Sequence, residues 1–123
     1  MKLNHIALSV TNVIQSKEFF ETFFGFNCLT LKPSIAILKD SQGLVFVLHK
    51  SKNEENIEYP EDFHIGFLLD SAEEVRQIYK KLKSVEHDFL INITEIKDNN
   101  HGIIFYFNAP GKILVEVSCR NTF

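Results

Sequence analysis

Arginine is scarce in this chain: of its 123 residues, only Arg76 and Arg120 carry a guanidinium. A site that clamps a phosphate or phosphonate with paired guanidinium groups would therefore have little to build on. Cysteine is equally scarce, since Cys28 and Cys119 are the only two and fall in no C-x-x-C pattern. Two such cysteines do not make a disulfide framework, so we expect both thiols to be reduced, as in a cytoplasmic protein.

Long apolar runs are absent as well. No stretch approaches the roughly 18 apolar residues that a membrane-spanning helix needs. The N-terminus has one lysine followed by an alternating strand pattern, which is not typical of a signal peptide. The net charge is −3 with both signs interspersed, which argues against nucleic acid and against an anionic membrane surface as partners.

What the chain does contain is a repeated pattern. Residues 4–10 read NHIALSV, and residues 63–69, which lie 59 positions later, read FHIGFLL. Each segment has a histidine at its second position, alternates like a half-buried strand and runs into a helical stretch led by Ser or Thr. Two copies of one βα unit can place equivalent side chains opposite each other across a cleft. His5 and His64 therefore indicate a metal site.

Hydrophobic periodicity predicts the order βαβββ in each half. In the first half we expect a helix over residues 12–24, capped by Thr11. The predicted strands of this half cover residues 3–10, 26–31, 34–39 and 44–49. In the second half we expect a helix over residues 72–84, capped by Asp70 or Ser71. The predicted strands of this half cover residues 62–69, 88–96, 102–108 and 112–118. The predicted fold is α+β: two modules that form a cupped mixed sheet around a cleft.

The predicted domain is single and spans residues 1–123. Module one covers 1–50 and module two covers 62–123, joined by a polar linker over 51–61 that lacks periodicity.

The alternation also assigns side chains to faces. If Ile65 and Phe67 pack on the second helix, His64 faces the cleft, and the same parity on the last strand turns Glu116 into the cleft. An unpaired carboxylate there would cost several kcal/mol to desolvate, so a cation or a hydrogen-bond donor should lie beside it.

Four segments together carry a family resemblance. They are the strand HIALSV at 5–10, the helix end FFETFFGF at 19–26, the restart at His64 and the closing PGKILVEV at 110–117. In this order they resemble the vicinal-oxygen-chelate superfamily, which includes glyoxalase I, bleomycin-resistance proteins, extradiol dioxygenases and fosfomycin thiol transferases.

The resemblance implies that His5, His64 and Glu116 are metal ligands. The fourth ligand of glyoxalase I would fall on Val47, which cannot ligate, and His49 could replace it only if the register slips. Two imidazoles and a carboxylate suit Fe, Mn, Zn, Ni or Co and leave positions for water and substrate.

Other site residues are implied less directly. Tyr106, His49 and His101 are the candidates for proton transfer. An aromatic face of the strand through Phe105 and Phe107, together with Leu114, would contact substrate.

The resemblance leaves three classes of function open. The first is a metal-dependent lyase, dioxygenase or transferase that polarises vicinal oxygens of a small-molecule substrate. The second is a metal-free, bleomycin-resistance-type protein that sequesters a ligand. The third is a regulatory or partner-binding domain with a degenerate pocket. By family analogy, we expect a homodimer.

Overall fold

The computed structural model describes residues 1–52 and 57–121, and within these ranges the βαβββ order occurs twice, which confirms the predicted α+β class. The chain divides into two units: Met1–Glu58 with Pro110–Lys112, and Tyr59–Ala109 with Ile113–Phe123. Residues 53–56 of the predicted linker lie outside the described residues.

The first unit has one helix on one face of a four-stranded sheet. The elements are β1 His5–Val10, α1 Val13–Phe24, β2 Asn27–Lys32, β3 Ile35–Lys39 and β4 Val45–Lys50. The sheet order is β1-β4-β3-β2, in which β1 and β4 are parallel and the remaining pairs are antiparallel.

Helix α1 begins one residue later than predicted. Asn12, not Thr11, is the cap, because its extended backbone lets its Oδ1 accept the backbone N–H of Gln15 at 3.0 Å. The helix ends as expected at Gly25, whose φ of 71° suits a residue without a Cβ. Its buried Phe19 and Phe20 rings belong to the core of this unit, with the Phe20 and Phe46 ring centroids 4.8 Å apart.

The second unit repeats this plan, with one helix on one face of a four-stranded sheet. Its elements are β5 Ile65–Leu68, α2 Ala72–Ser84, β6 Lys97–Asn99, β7 Gly102–Ala109 and β8 Ile113–Arg120. The sheet order is β5-β8-β7-β6. Ser71 caps α2 as predicted and forms a capping box with Glu74. Among the described residues, no helix has the length and apolarity to span a bilayer.

The predicted strand over residues 88–96 is wrong. Turns continue from α2 through residue 90, a single bridge joins Ile93 to Phe107, and the regular strand is only Lys97–Asn99. The ladder is interrupted because the Tyr106 N–H donates to the Thr94 hydroxyl at 3.0 Å instead of a backbone carbonyl.

Candidate functional site

The carboxylate of Glu116 lies on the face of the second sheet opposite α2. Its neighbours Val115 and Val117 are fully buried on the α2 side, as parity predicts. Glu116 is also buried, at 7 % exposure. It pairs across the sheet with Gly66, where a Cβ would lie 3.7 Å from Glu116 Oε2.

Three side chains donate hydrogen bonds to this carboxylate. The Tyr106 hydroxyl lies 2.9 Å from Oε1 and the Ser118 hydroxyl 3.0 Å from Oε2. One nitrogen of Arg120, Nη2, contacts both oxygens, at 3.2 Å and 3.3 Å. The expectation of a cation or donor beside Glu116 is therefore confirmed, and the cation is the chain's own.

This environment shifts two pKa values in opposite directions. Burial raises the pKa of Glu116, but the hydrogen bonds from Tyr106, Ser118 and Arg120 outweigh burial and hold it below its usual value. Two causes raise the pKa of Tyr106: burial has the larger effect, and the hydrogen bond to the Glu116 carboxylate has the next largest. Glu116 is therefore a stable anion, and Tyr106 keeps its proton and acts as a donor.

The imidazole of His64 points toward the same carboxylate. Its Nε2 lies 3.7 Å from Glu116 Oε1, and its Nδ1 lies 2.9 Å from the carbonyl oxygen of Asp62. A carbonyl can only accept, so Nδ1 carries a proton. In the neutral ring Nε2 then presents its lone pair toward Glu116, which is the form that binds metals.

A tight turn provides that carbonyl. Asp62 has a φ of 67°, and the Phe63 N–H donates to the Pro60 carbonyl at 3.1 Å, so the chain reverses just before β5. The Phe63 ring stacks on Tyr59, with centroids 5.3 Å apart. The turn lies across the predicted linker over 51–61 and the start of the predicted strand over 62–69, and neither prediction included it, although the Pro-x-Asp pattern was a signal for it.

The strand pairing in each unit allows the two modules to be compared residue by residue. In the first unit Ala7, two residues after His5, pairs with Val47; in the second Gly66, two residues after His64, pairs with Glu116. Val47 therefore holds the position equivalent to Glu116, as predicted.

The first unit does not supply a second histidine beside His5. His5 is exposed and pairs with Val45, whereas His49 pairs with Ser9, four residues further along β1. That separation is about 13 Å along the strand. The ligand role of His5 stays a prediction.

The rings of Phe105 and Phe107 are in the core of the second unit, each 1 % exposed. Phe105 packs edge-on against Tyr79 of α2, with ring centroids 5.2 Å apart. This corrects their predicted role in substrate contact: strand parity turns Tyr106, not its neighbours, to the Glu116 face. Leu114 is half-buried, and its role stays a prediction.

A cavity of about 260 Å³ lies at the far end of this face. The exposed His101 and the side chains of Tyr106 and Arg120 line it, together with Asn99, Gly102, Ile103 and Ile104. Sequence analysis did not assign Arg120 to the site. Its signal was the same parity that identified Glu116, because residues 116, 118 and 120 share one face of β8.

The described residues fit a metal only in part. Across residues 1–52 and 57–121, no three His, Cys, Asp or Glu side chains are grouped as metal ligands. The His64–Glu116 pair alone is compatible: with metal–ligand bonds of roughly 2.0–2.2 Å, two ligand atoms of one ion lie about 3–4 Å apart. Their 3.7 Å separation falls in that range.

Residues 2–117 match the model of the Glyoxalase/Bleomycin resistance protein/Dioxygenase superfamily. A trivalent organoarsenical cleaving enzyme of Bacillus sp. (strain MD1) is 33 % identical over 97 residues, which cover 78 % of this chain and 57 % of that enzyme. The chain thus spans little more than half the length of this curated relative.

Solved structures share the fold. A possible glyoxalase from Bacillus cereus is 31 % identical, with a TM-score of 0.80 over 97 % of this chain and 99 % of that one. A mutant of the fosfomycin resistance protein FosX from Listeria monocytogenes, complexed with Mn(II) and 1S,2S-dihydroxypropylphosphonic acid, is 17 % identical, with a TM-score of 0.77 over 95 % of this chain and 90 % of that one.

Proposed function

The chain belongs to the Glyoxalase/Bleomycin resistance protein/Dioxygenase superfamily, and from that premise we propose that it is a metal-dependent enzyme acting on a small molecule. His5, His64 and Glu116 would hold a divalent ion, either Fe, Mn, Zn, Ni or Co. When bound, such an ion polarises two adjacent oxygens of a substrate. The proposal includes a cytoplasmic homodimer.

The orientation of His64 carries this proposal. The Asp62 carbonyl holds the Nδ1 proton, so Nε2 faces the Glu116 carboxylate at 3.7 Å. A lone pair facing an anion at this distance is unfavourable unless a proton or a cation lies between them. Metal-binding histidines commonly have this second hydrogen bond to a carbonyl or carboxylate, which fixes the ring and its tautomer.

The neighbours of Glu116 have separable roles. Ser118 fixes the orientation of the carboxylate through Oε2, and Tyr106 fixes it through Oε1. Tyr106 also lines the cavity at the far end of this face and keeps a proton on its hydroxyl, because its pKa is raised. Its single O–H already donates to Glu116, so it would donate to a substrate oxygen only after that bond breaks, and its raised pKa makes it unsuited to act as a base.

The organoarsenical cleaving relative makes trivalent organoarsenicals the first substrate class to screen. A phosphonate such as fosfomycin has less support, because both arginines are already in ion pairs. Arg76 lies 2.8 Å from Asp98, and Arg120 lies 3.2 Å from Glu116.

Metal content tests the proposal. Untagged wild-type protein should contain close to one ion per chain, and His5→Ala, His64→Ala and Glu116→Gln should each lose it. His87→Ala, on an exposed turn, is the matched control and should keep it. Wild-type protein that holds no metal, and whose Tm does not rise on addition of Fe(II), Mn(II), Co(II), Ni(II) or Zn(II), would refute the enzyme proposal.

One observation favours the second candidate, a metal-free ligand-binding protein. Both oxygens of Glu116 already accept hydrogen bonds from Tyr106, Ser118 and Arg120, so the carboxylate needs no metal to be buried. The same titrations separate the two candidates, because only the enzyme requires that a metal bind.

A further inference from the structure

We propose that Arg120 acts as a tethered cation that competes with a divalent metal ion for the Glu116 carboxylate. The inference rests on the proposed function, since it presupposes that Glu116 binds a metal. It concerns a positioning residue that lowers metal affinity and keeps the metal-free site neutral.

Arg120 holds this carboxylate less tightly than a strong arginine–carboxylate pair would. Its contacts, at 3.2 Å and 3.3 Å, are longer than the roughly 2.7–2.9 Å of strong charge-assisted hydrogen bonds. A single nitrogen makes both contacts, so the pair lacks the two-nitrogen fork of the strongest arginine–carboxylate pairs. Its side chain is also 31 % exposed, whereas Ser118 is fully buried.

Counting acceptor positions shows why the two cations exclude each other. An ionised carboxylate offers about four lone-pair positions. Tyr106 and Ser118 take one each, and Arg120 contacts both oxygens. A metal ion can bind Glu116 only where a donor leaves, and repulsion between like charges selects the guanidinium over the two neutral hydroxyls.

The guanidinium has space to move. Arg120 is the last residue of β8, and its side chain lines the cavity of about 260 Å³ with Asn99, His101 and Tyr106. The side chain can rotate into this space while the β8 backbone keeps its pairing with β7. The Tyr106 and Ser118 hydroxyls would still orient the carboxylate.

Mn(II) titration of three variants tests the competition. Arg120→Met keeps the aliphatic bulk but removes the charge, and Mn(II) affinity should rise roughly tenfold or more. The Tm of that variant should fall in EDTA and recover with Mn(II). Arg120→Lys keeps the charge and should bind Mn(II) within about threefold of wild type. Arg76→Met removes the other arginine from its exposed pair with Asp98. It should change neither the Mn(II) affinity nor the Tm in EDTA.

A measurement on wild-type protein covers the case in which Arg120→Met does not fold. With only two arginines, the guanidinium ¹H–¹⁵N signals can be assigned by comparison with Arg76→Met. Diamagnetic Zn(II) should move the Arg120 signal toward that of a solvated guanidinium and leave the Arg76 signal in place.

The outcomes separate this inference from the proposed function. Metal binding in wild type with unchanged affinity in Arg120→Met, or an Arg120 signal that Zn(II) does not move, overturns the inference alone. Binding in Arg120→Met but not in wild type supports the competition at Glu116 and refutes the enzyme proposal. Binding in neither protein overturns the metal proposal and this inference with it.

Discussion

Replacing Tyr106 with phenylalanine removes one hydroxyl from the site and leaves the ring in place. That hydroxyl donates to Glu116 Oε1 at 2.9 Å, and Glu116 is only 7 % exposed. Oε1 then keeps the longer 3.2 Å contact from Arg120, so we expect Tyr106→Phe to lower the free energy of unfolding.

The size of the effect follows from the type of bond. A hydrogen bond to a charged group contributes about 1.5–3 kcal/mol. We expect the lower end, about 1.5 kcal/mol, because Arg120 still contacts Oε1 at 3.2 Å. In a chain of this size each kcal/mol changes Tm by roughly 4 °C, so Tm should fall by about 6 °C at pH 7.

The effect should depend on pH with a definite sign. The folded-state pKa of Glu116 lies below its ordinary value of 4.5, so its ionisation stabilises the fold above that pH. This stabilisation is lost as the pH falls through the folded-state pKa. Removing the Tyr106 hydroxyl raises that pKa, so the difference in stability between wild type and variant should be full above pH 4.5 and shrink below the folded-state pKa.

Urea denaturation between pH 3 and pH 7, in EDTA to exclude metal, measures this difference. Tyr79→Phe is the matched control, because Tyr79 lies in the same unit but packs against Phe105 in the core, 5.2 Å between ring centroids. If Tyr106→Phe costs no more than Tyr79→Phe at pH 7, or if its cost is the same at all pH values, the reasoning is refuted.

The remaining predictions concern the backbone. Gly102→Ala should destabilise the fold by about 1–3 kcal/mol, because φ is +130° and a Cβ would collide with the Cys119 carbonyl oxygen. Gly66→Ala is its control and should be nearly neutral in thermal unfolding, since its Cβ would make ordinary 3.7 Å contacts with Glu116. Ser71→Ala removes the cap of α2 and should cost about 1 kcal/mol in urea titration, while an equal Tm for both proteins would contradict the capping role.

The sequence was sufficient for the fold because its signals were periodic and repeated. Alternation placed Glu116 opposite the helix-facing Val115 and Val117, and the register of both sheets bears this out. The strand over residues 88–96 failed for a local reason, since the Thr94 hydroxyl replaces a carbonyl as acceptor for Tyr106. A side-chain acceptor that replaces a backbone carbonyl in a strand ladder does not change the hydrophobic periodicity of the sequence, so the pattern cannot predict it.

The site was harder to predict because its contacts join positions on different strands. Strand parity alone could place Ser118 and Arg120 on the same face as Glu116. It could not predict which cation would contact the carboxylate. The contact from the Asp62 carbonyl was harder still to predict, because its position depends on a turn with positive φ. A backbone acceptor is also not marked by any residue type in the sequence.

These contacts also bear on how metal binding and folding are related in this chain. A buried carboxylate without a partner would destabilise the metal-free fold by several kcal/mol, and folding would then require the metal, as in small zinc domains. Here Tyr106, Ser118 and Arg120 supply the partners, and in the described part of the chain no buried side-chain nitrogen or oxygen lacks one. Metal binding at Glu116 would therefore exchange one cation for another and leave the fold unchanged. Its affinity would be set by the difference between the two cations, so we expect the identity of residue 120 to affect both the metal affinity and the stability of the metal-free fold.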